Sequence, residues 1–162
     1  MRFVKVSRQY IQGVYDNACR EIMMNHKETG VEKDRLNVLL VRIKYKGKNR
    51  EFVIPLSHAI KTNKNHKLTY YPLDSGDEIN KTVGGLFFKK CLPVNRNLYV
   101  DTIITKEPFL TVYKTVQLLE NDIVRRFRLY LDEYVAKQKK GKGFSYSTNL
   151  DEILRYMDSE WP

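Results

Sequence analysis

Leu36-Asn37-Val38-Leu39-Leu40-Val41-Arg42-Ile43-Lys44-Tyr45 is the stretch on which the reading of the chain turns. It begins as a continuous apolar run, the pattern of a strand buried on both faces. It then alternates, so that Val41, Ile43 and Tyr45 are expected to face one way and Arg42, Lys44 and Lys46 the other. Gly47 and Asn49 supply a turn, and the chain returns as Glu51-Phe52-Val53-Ile54. Pro55 has no N–H to give to a ladder and is expected to close the second strand. The segment is a β-hairpin, and the rest of the chain is read against it.

Upstream, Phe3-Val4-Lys5-Val6 alternates as a short first strand, and Ser7 stands where an N-cap would start a helix over residues 8–24. Ile11, Val14, Ala18 and Ile22 give that helix its apolar stripe, with Tyr10 at its start. Downstream, 56–71 is a polar, basic and aromatic loop that leaves room for a short strand near Leu68–Tyr71. Gly84-Gly85 precede a second strand, Leu86–Leu92, which Pro93 is expected to end, and Leu98–Ile104 is extended. Pro108 opens one long helix over 108–137, with Val112, Val116, Leu119, Ile123, Phe127, Tyr130 and Tyr134 on one stripe. A basic loop over 137–147 follows. Asn149 and Glu152 then match a capping pattern for a last short helix. The expectation is a single α+β domain over 1–162, built on a compact, bent, barrel-like antiparallel sheet with helices around it.

Charge narrows the function. The 162 residues carry 29 Lys+Arg against 19 Asp+Glu, a formal net charge of +10. Residues 33–67 alone hold ten basic and two acidic side chains, and residues 108–143 hold eight and four. A concentration of this kind points to a polyanionic partner. Charges near the start occupy the place where a signal peptide needs an apolar run, and no stretch approaches the roughly 18 apolar residues of a membrane helix. The two cysteines, Cys19 and Cys91, suit a reducing compartment, so a cytoplasmic protein is expected. His26, His58 and His66 have no metal-ligand spacing, and no phosphate-binding glycine loop is present, so neither a metal nor a nucleotide cofactor is expected.

Chemistry is best placed at Pro55-Leu56-Ser57-His58-Ala59-Ile60-Lys61, where a hydroxyl, an imidazole and an ammonium follow the end of a strand. RNA carries its own nucleophile, the 2′-hydroxyl. A ribonuclease therefore needs to take that proton, stabilise charge on the phosphate and protonate the 5′-oxygen. Lys61 and Ser57 suit the phosphate, and His58 suits a proton carrier. The same residues, with Lys64 and Lys67, also suit a non-catalytic RNA-binding surface. Arg125 and Arg128 share a helix face, and Phe144 and Tyr146 beside Lys139, Lys140 and Lys142 suit base stacking next to phosphates. A DNA-binding regulator is disfavoured because no helix-turn-helix pattern occurs.

Ordered motifs resemble one family. Ser7-Arg8-Gln9-Tyr10-Ile11 after the first strand, the hairpin ending in Pro55-Leu56-Ser57, Val83-Gly84-Gly85 through Leu92-Pro93-Val94, and Tyr113-Lys114 after Pro108 are similar to the endoribonuclease toxins of type III toxin–antitoxin systems. These form the ToxN/AbiQ family, with its CptN and TenpN relatives. The resemblance implies a bent sheet similar to MazF/Kid toxins and metal-independent cleavage of target mRNA to 2′,3′-cyclic phosphate and 5′-hydroxyl ends. It also implies an antitoxin that is a repeated RNA pseudoknot rather than a protein, and a closed ring-shaped protein–RNA assembly; phage defence by abortive infection and plasmid maintenance both stay open as the biological role. Ser57 falls on the family's hydroxyl and Lys61 one residue beyond its lysine, while His58 departs from a second hydroxyl. Lys33 or Arg35 falls where relatives carry a lysine. Tyr10 and Tyr113 match its active-site tyrosines, although both also fit apolar helix stripes.

Overall fold

The computed structural model describes residues 1–23, 35–57, 68–73 and 84–162. Among them are seven strands and four α-helices. The strands are β1 (Arg2–Val6), β2 (Asn37–Tyr45), β3 (Lys48–Ser57), β4 (Tyr70–Pro72), β5 (Gly85–Phe87), β6 (Leu92–Val94) and β7 (Tyr99–Asp101). The helices are α1 (Arg8–Asn17), α2 (Phe109–Leu118), α3 (Glu120–Lys139) and α4 (Leu150–Glu160). All pairing is antiparallel in the order β4-β5-β3-β2-β1-β7, with β6 also on β3. Among the described residues this path does not return on itself, so the sheet is open rather than barrel-like.

The hairpin forms as expected, and its turn is tighter. Tyr45 stands opposite Lys48, so Lys46 and Gly47 alone make the loop, both with positive φ (46° and 83°). A two-residue turn with two positive φ values matches the twist of the flanking strands, and glycine adopts it without strain. Lys46 is held there by Asp151 at 2.8 Å and Gln138 at 3.1 Å.

Further up β2, strict alternation fails. Leu40 pairs with Phe52 but Ile43 pairs with Arg50, so β2 carries one extra residue at a bulge where Arg42 has φ 56°. The bulge shifts the parity by one. Val41 is therefore 45% exposed instead of sharing the buried face of Ile43 and Tyr45.

Neither proline ends its strand. β3 runs through Pro55 to Ser57, because Leu56 N–H donates to Leu36 O on the β2 side at 3.2 Å. Backbone groups alternate sides along a strand, so the nitrogen of Pro55 faces the other edge. That edge is where β3 changes partners, from β6 (opposite Glu51–Val53) to β5 (opposite Leu56 and Ser57). Pro55 sits at the one place where no donor is needed. The expected strand 86–92 accordingly splits into β5, a 3₁₀ turn over Phe88–Lys90, and β6, in which Pro93 lies inside the strand.

Helices cover both faces. On one face, α2 and α3 pack through Tyr113 on Phe3 (ring centroids 5.3 Å) and Phe127 on Phe52 and Phe88 (both 5.4 Å). On the other, Ile11 of α1 lines one small hollow with Val6, Pro55 and Leu92, and α4 packs on β6. The expected single helix over 108–137 is two. It breaks at Leu119 (φ −99°, ψ 6°) and leaves Leu118 88% exposed. At this break the α-amino group of Met1 is held by Gln117 Oε1 at 2.8 Å and Glu120 at 3.4 Å. α1 is also shorter than expected, ending at Asn17, whereas its cap is as read: Ser7 Oγ accepts from Tyr10 N at 3.4 Å. Asn149 caps α4 in the same way, accepting from Glu152 N. No helix among the described residues is long and apolar enough to cross a membrane.

Asp151 ties α4 to the hairpin and to α3 by accepting from Tyr45, Lys46 and Gln138. Burial by itself would raise its carboxyl pKa. The bonds from Lys46, Gln138 and Tyr45 outweigh burial and hold it below the ordinary value. That stabilisation is fully present above the unfolded value, near pH 4, and is lost as the pH falls through the lower folded value. Asp151→Asn is expected to cost about 1–3 kcal/mol at pH 7. In urea unfolding, the gap between wild type and variant should narrow toward pH 3.

Candidate functional site

Three elements meet where β3 ends. Ser57 is the last residue of β3, opposite Gly85 of β5, and only 9% exposed. Residues directly opposite in an antiparallel pair share a face, so Ser57, Gly85, Phe87 and Tyr70 (opposite Phe87) lie on the α1 side of the sheet with Pro55 and Asn37. A Cβ on Gly85 would meet the Tyr71 carbonyl and come within 2.6 Å of the Tyr70 ring. Glycine at this position is thus what lets the Tyr70 ring lie next to the strand end. The Tyr70 hydroxyl donates to Gly84 O.

Near the start of α1, cations from separate parts of the chain converge, Lys5 reaching in from the opposite sheet face. A cavity of about 220 Å³ is lined by Lys5, Ser7, Arg8, Arg35, Asn97 and Tyr99, among others, with no carboxylate among its described lining residues. Ser7 and Arg8 begin α1, so the positive end of the helix dipole adds to the field. Arg35 also lines a second, narrower hollow with Asn37, Pro55 and Lys90. Its Nη1 donates to Leu56 O at 3.3 Å, while its Nε is enclosed and has no partner among the described residues. Burial lowers the Arg35 pKa from its ordinary value, but a guanidinium stays charged at neutral pH. Lys90 reaches the hollow from the 3₁₀ turn, where it also bonds Glu21. The result is a row of cations beside the backbone that positions Ser57, suited to a phosphodiester.

The sequence-predicted residues divide into three groups. Ser57 and Arg35 are brought to the same strand end. His58, Lys61, Lys64, Lys67 and Lys33 lie outside the described residues. The others stand elsewhere. Tyr10 is fully buried, its hydroxyl donating to Pro93 O at 2.6 Å and its ring edge-on to Trp161, and burial raises its pKa strongly. Tyr113 packs on Phe3, on the sheet face opposite Ser57. Arg125 is paired with Asp122 at 2.7 Å, and that carboxylate also accepts from Tyr71. Arg128, Lys139, Lys140 and Lys142 are exposed on α3 and the turn after it. Phe144 stacks on Tyr130 with centroids 5.2 Å apart, and Tyr146 is 72% exposed.

Lys5, Arg8, Lys90 and Tyr70 were not singled out from sequence. Arg8 and Lys90 sit inside the quoted motifs, and the signal that could have found them is basic residues next to elements that end at one sheet edge. Cys91, expected in the core, is fully buried, and burial pushes its thiol up to about 12, which leaves it unreactive. No group of three or more potential metal ligands occurs among the described residues.

Gly85→Ala tests the strand-end packing. The added methyl must displace β4, so a loss of about 1–3 kcal/mol in urea unfolding is expected. An unchanged midpoint would mean that Tyr70 does not lie against Gly85.

No family model and no curated protein matches the chain. Solved structures do share its fold. One belongs to a bacterial antiviral system regulated by a processed non-coding RNA, with 15% identity, 98% of each chain covered and TM-score 0.73. A second is AbiQ, a lactococcal anti-phage endoribonuclease of the type III toxin–antitoxin system, with 16% identity, 98% of this chain and 96% of that one covered, and TM-score 0.72. A third is from a bacterial type III toxin–antitoxin system in which a non-coding RNA pseudoknot selectively inhibits the toxin, with 14% identity, 99% and 98% covered, and TM-score 0.55.

Proposed function

We propose that this chain is an endoribonuclease toxin of a type III toxin–antitoxin system, acting on mRNA and held inactive by a structured non-coding RNA. The observation that carries the reading is the row of Arg8, Arg35 and Lys90 on the sheet face where β3 ends in Ser57. That row belongs to a fold shared from end to end with an anti-phage endoribonuclease. The cleft suits either RNA, because arginine and lysine side chains would meet phosphates, which both RNAs carry alike. An inhibitory pseudoknot that filled it would exclude substrate by occupancy alone, with no protein antitoxin required. Processing of a repeated antitoxin precursor by the same site would yield units that a ring-shaped protein–RNA assembly could hold.

In the proposed mechanism the substrate supplies the nucleophile and no metal takes part. A base removes the 2′-hydroxyl proton, and the oxygen attacks the adjacent phosphorus. The bond to the 5′-oxygen breaks, leaving a 2′,3′-cyclic phosphate, and the departing oxygen takes a proton to become a 5′-hydroxyl. Arg35 and Lys61 neutralise charge growing on the non-bridging oxygens, and Ser57 donates a hydrogen bond to one of them. His58, next to Ser57 in the chain, carries the proton. Tyr10 and Tyr113 support the core instead of the reaction.

The purified chain is expected to cut cellular RNA in EDTA as well as without it. The new 5′ ends should become ligatable only after phosphorylation. Arg35→Ala and Ser57→Ala should each lower the cleavage rate about 10²–10³-fold with the thermal midpoint of folding little changed. RNA bound but left intact under both conditions would establish the non-catalytic RNA binder instead.

A further inference from the structure

We propose that Tyr146, Lys89 and Phe87 form a subsite for an unpaired nucleotide of RNA, the base stacking on Tyr146 and its phosphate meeting Lys89. The inference rests on the RNA-cutting function proposed above and extends it to a surface outside the cleft.

Three observations converge on this surface. Tyr146 exposes 72% of its area and holds a positive φ of 58°, a backbone state that bulky residues rarely adopt. Its neighbours are firmly anchored. Phe144 stacks on Tyr130 in the core, Thr148 N–H donates to Lys89 O at 2.9 Å, and Thr148 Oγ1 donates to Cys91 O at 2.8 Å. Ser147 Oγ also closes back onto Phe144 O at 3.0 Å. The tyrosine is thus presented by a fixed loop, with its ring in water and little ordering left to lose when a base stacks on it.

The second observation is the cation beside the ring. Lys89 Nζ lies 6.0 Å from the Tyr146 centroid and 5.5 Å from the Phe87 centroid, and it donates to Ser145 O at 3.1 Å. Burial and the neighbouring Lys90 lower its pKa, whereas Glu21 raises it. An arriving phosphate would be favoured at this point. The third observation is charge of one sign: Lys137, Lys139, Lys140 and Lys142 lead into the loop, and no acidic residue occurs between Lys137 and Asn149.

Location ties the subsite to the strand end. Phe87 follows Gly85, the partner of Ser57, by two residues on the same sheet face, a rise of about 7 Å. A strand of RNA leaving the Ser57 end along β5 would meet Phe87, Lys89 and Tyr146 in turn. Aromatic faces accept any base, so the subsite favours unpaired over duplex RNA without reading sequence.

The test uses the full chain and a short unpaired oligoribonucleotide, 2′-O-methylated throughout to remove the nucleophile and carrying one 2-aminopurine. Wild-type protein should quench the 2-aminopurine. Tyr146→Leu should lose most of that quenching and bind about tenfold more weakly, and Tyr146→Phe should retain both. Lys89→Gln should reduce the slope of log affinity against log salt by about 0.7, one single-strand phosphate. Unchanged affinity and quenching in Tyr146→Leu, in a wild-type background that still cuts RNA, would overturn the subsite and leave the proposed function standing. Equal dependence on Tyr146 when the oligonucleotide is annealed into a duplex would also overturn it. A wild-type chain that neither binds nor cuts RNA would overturn the functional reading itself.

Discussion

β3 serves three strands, and the rest of the molecule is arranged around that fact. Along one edge it pairs with β2. Along the other it pairs first with β6 and then with β5, and Pro55 occupies the gap between them. For one strand edge to be used twice, residues 85–94 must leave the sheet and return within a few residues. The 3₁₀ turn over Phe88–Lys90 is how they do it. That turn buries Phe88 against Phe127 and Tyr130, brings Lys90 to the hollow shared with Arg35, and gives Lys89 its position beside Tyr146. A proline that costs nothing where it stands thus marks the point from which core and candidate site both grow.

Short links between distant elements recur along the molecule. Tyr70 requires glycine at position 85, Thr148 fixes the loop of Tyr146 to the carbonyls of Lys89 and Cys91, and Asp151 joins the hairpin turn to α3 and α4. Each is a short polar or steric link between elements distant in the chain.

Much of the fold was legible because local pattern dominates in places. The hairpin could be read from alternation and the Gly47 turn, α1 and α4 from their caps at Ser7 and Asn149, and Cys91 from its apolar surroundings. The misreadings each have their own cause. Val41 faces outward because a single extra residue at Arg42 reverses the alternation, and no periodicity count reveals a bulge. Pro55 and Pro93 looked like strand ends because a proline stops a ladder only when its nitrogen faces a partner. The helix over 108–137 is broken at Leu119 although its apolar spacing is continuous: Tyr113 of α2 packs on Phe3 of β1, and Phe127 of α3 packs on Phe52 of β3.

The candidate site was legible in part for a related reason. Net charge and the hydroxyl that follows Pro55-Leu56 are properties of the chain itself. The cleft is not, because Lys5, Arg8, Arg35 and Lys90 come from segments separated by up to 85 positions and meet only when β1, α1, β3 and the 3₁₀ turn pack together. Tyr10 and Tyr113 show the reverse: each fits both a helix stripe and a site motif, and the structure buries Tyr10 fully and packs Tyr113 on Phe3. The sequence by itself determined the antiparallel α+β class, the caps, the hairpin and the concentration of positive charge, all of which follow from nearest-neighbour chemistry and summed charge. Only the tertiary structure decided which cations share a cavity, which tyrosines are core and which proline is silent, because these depend on distances between residues that the chain order does not contain.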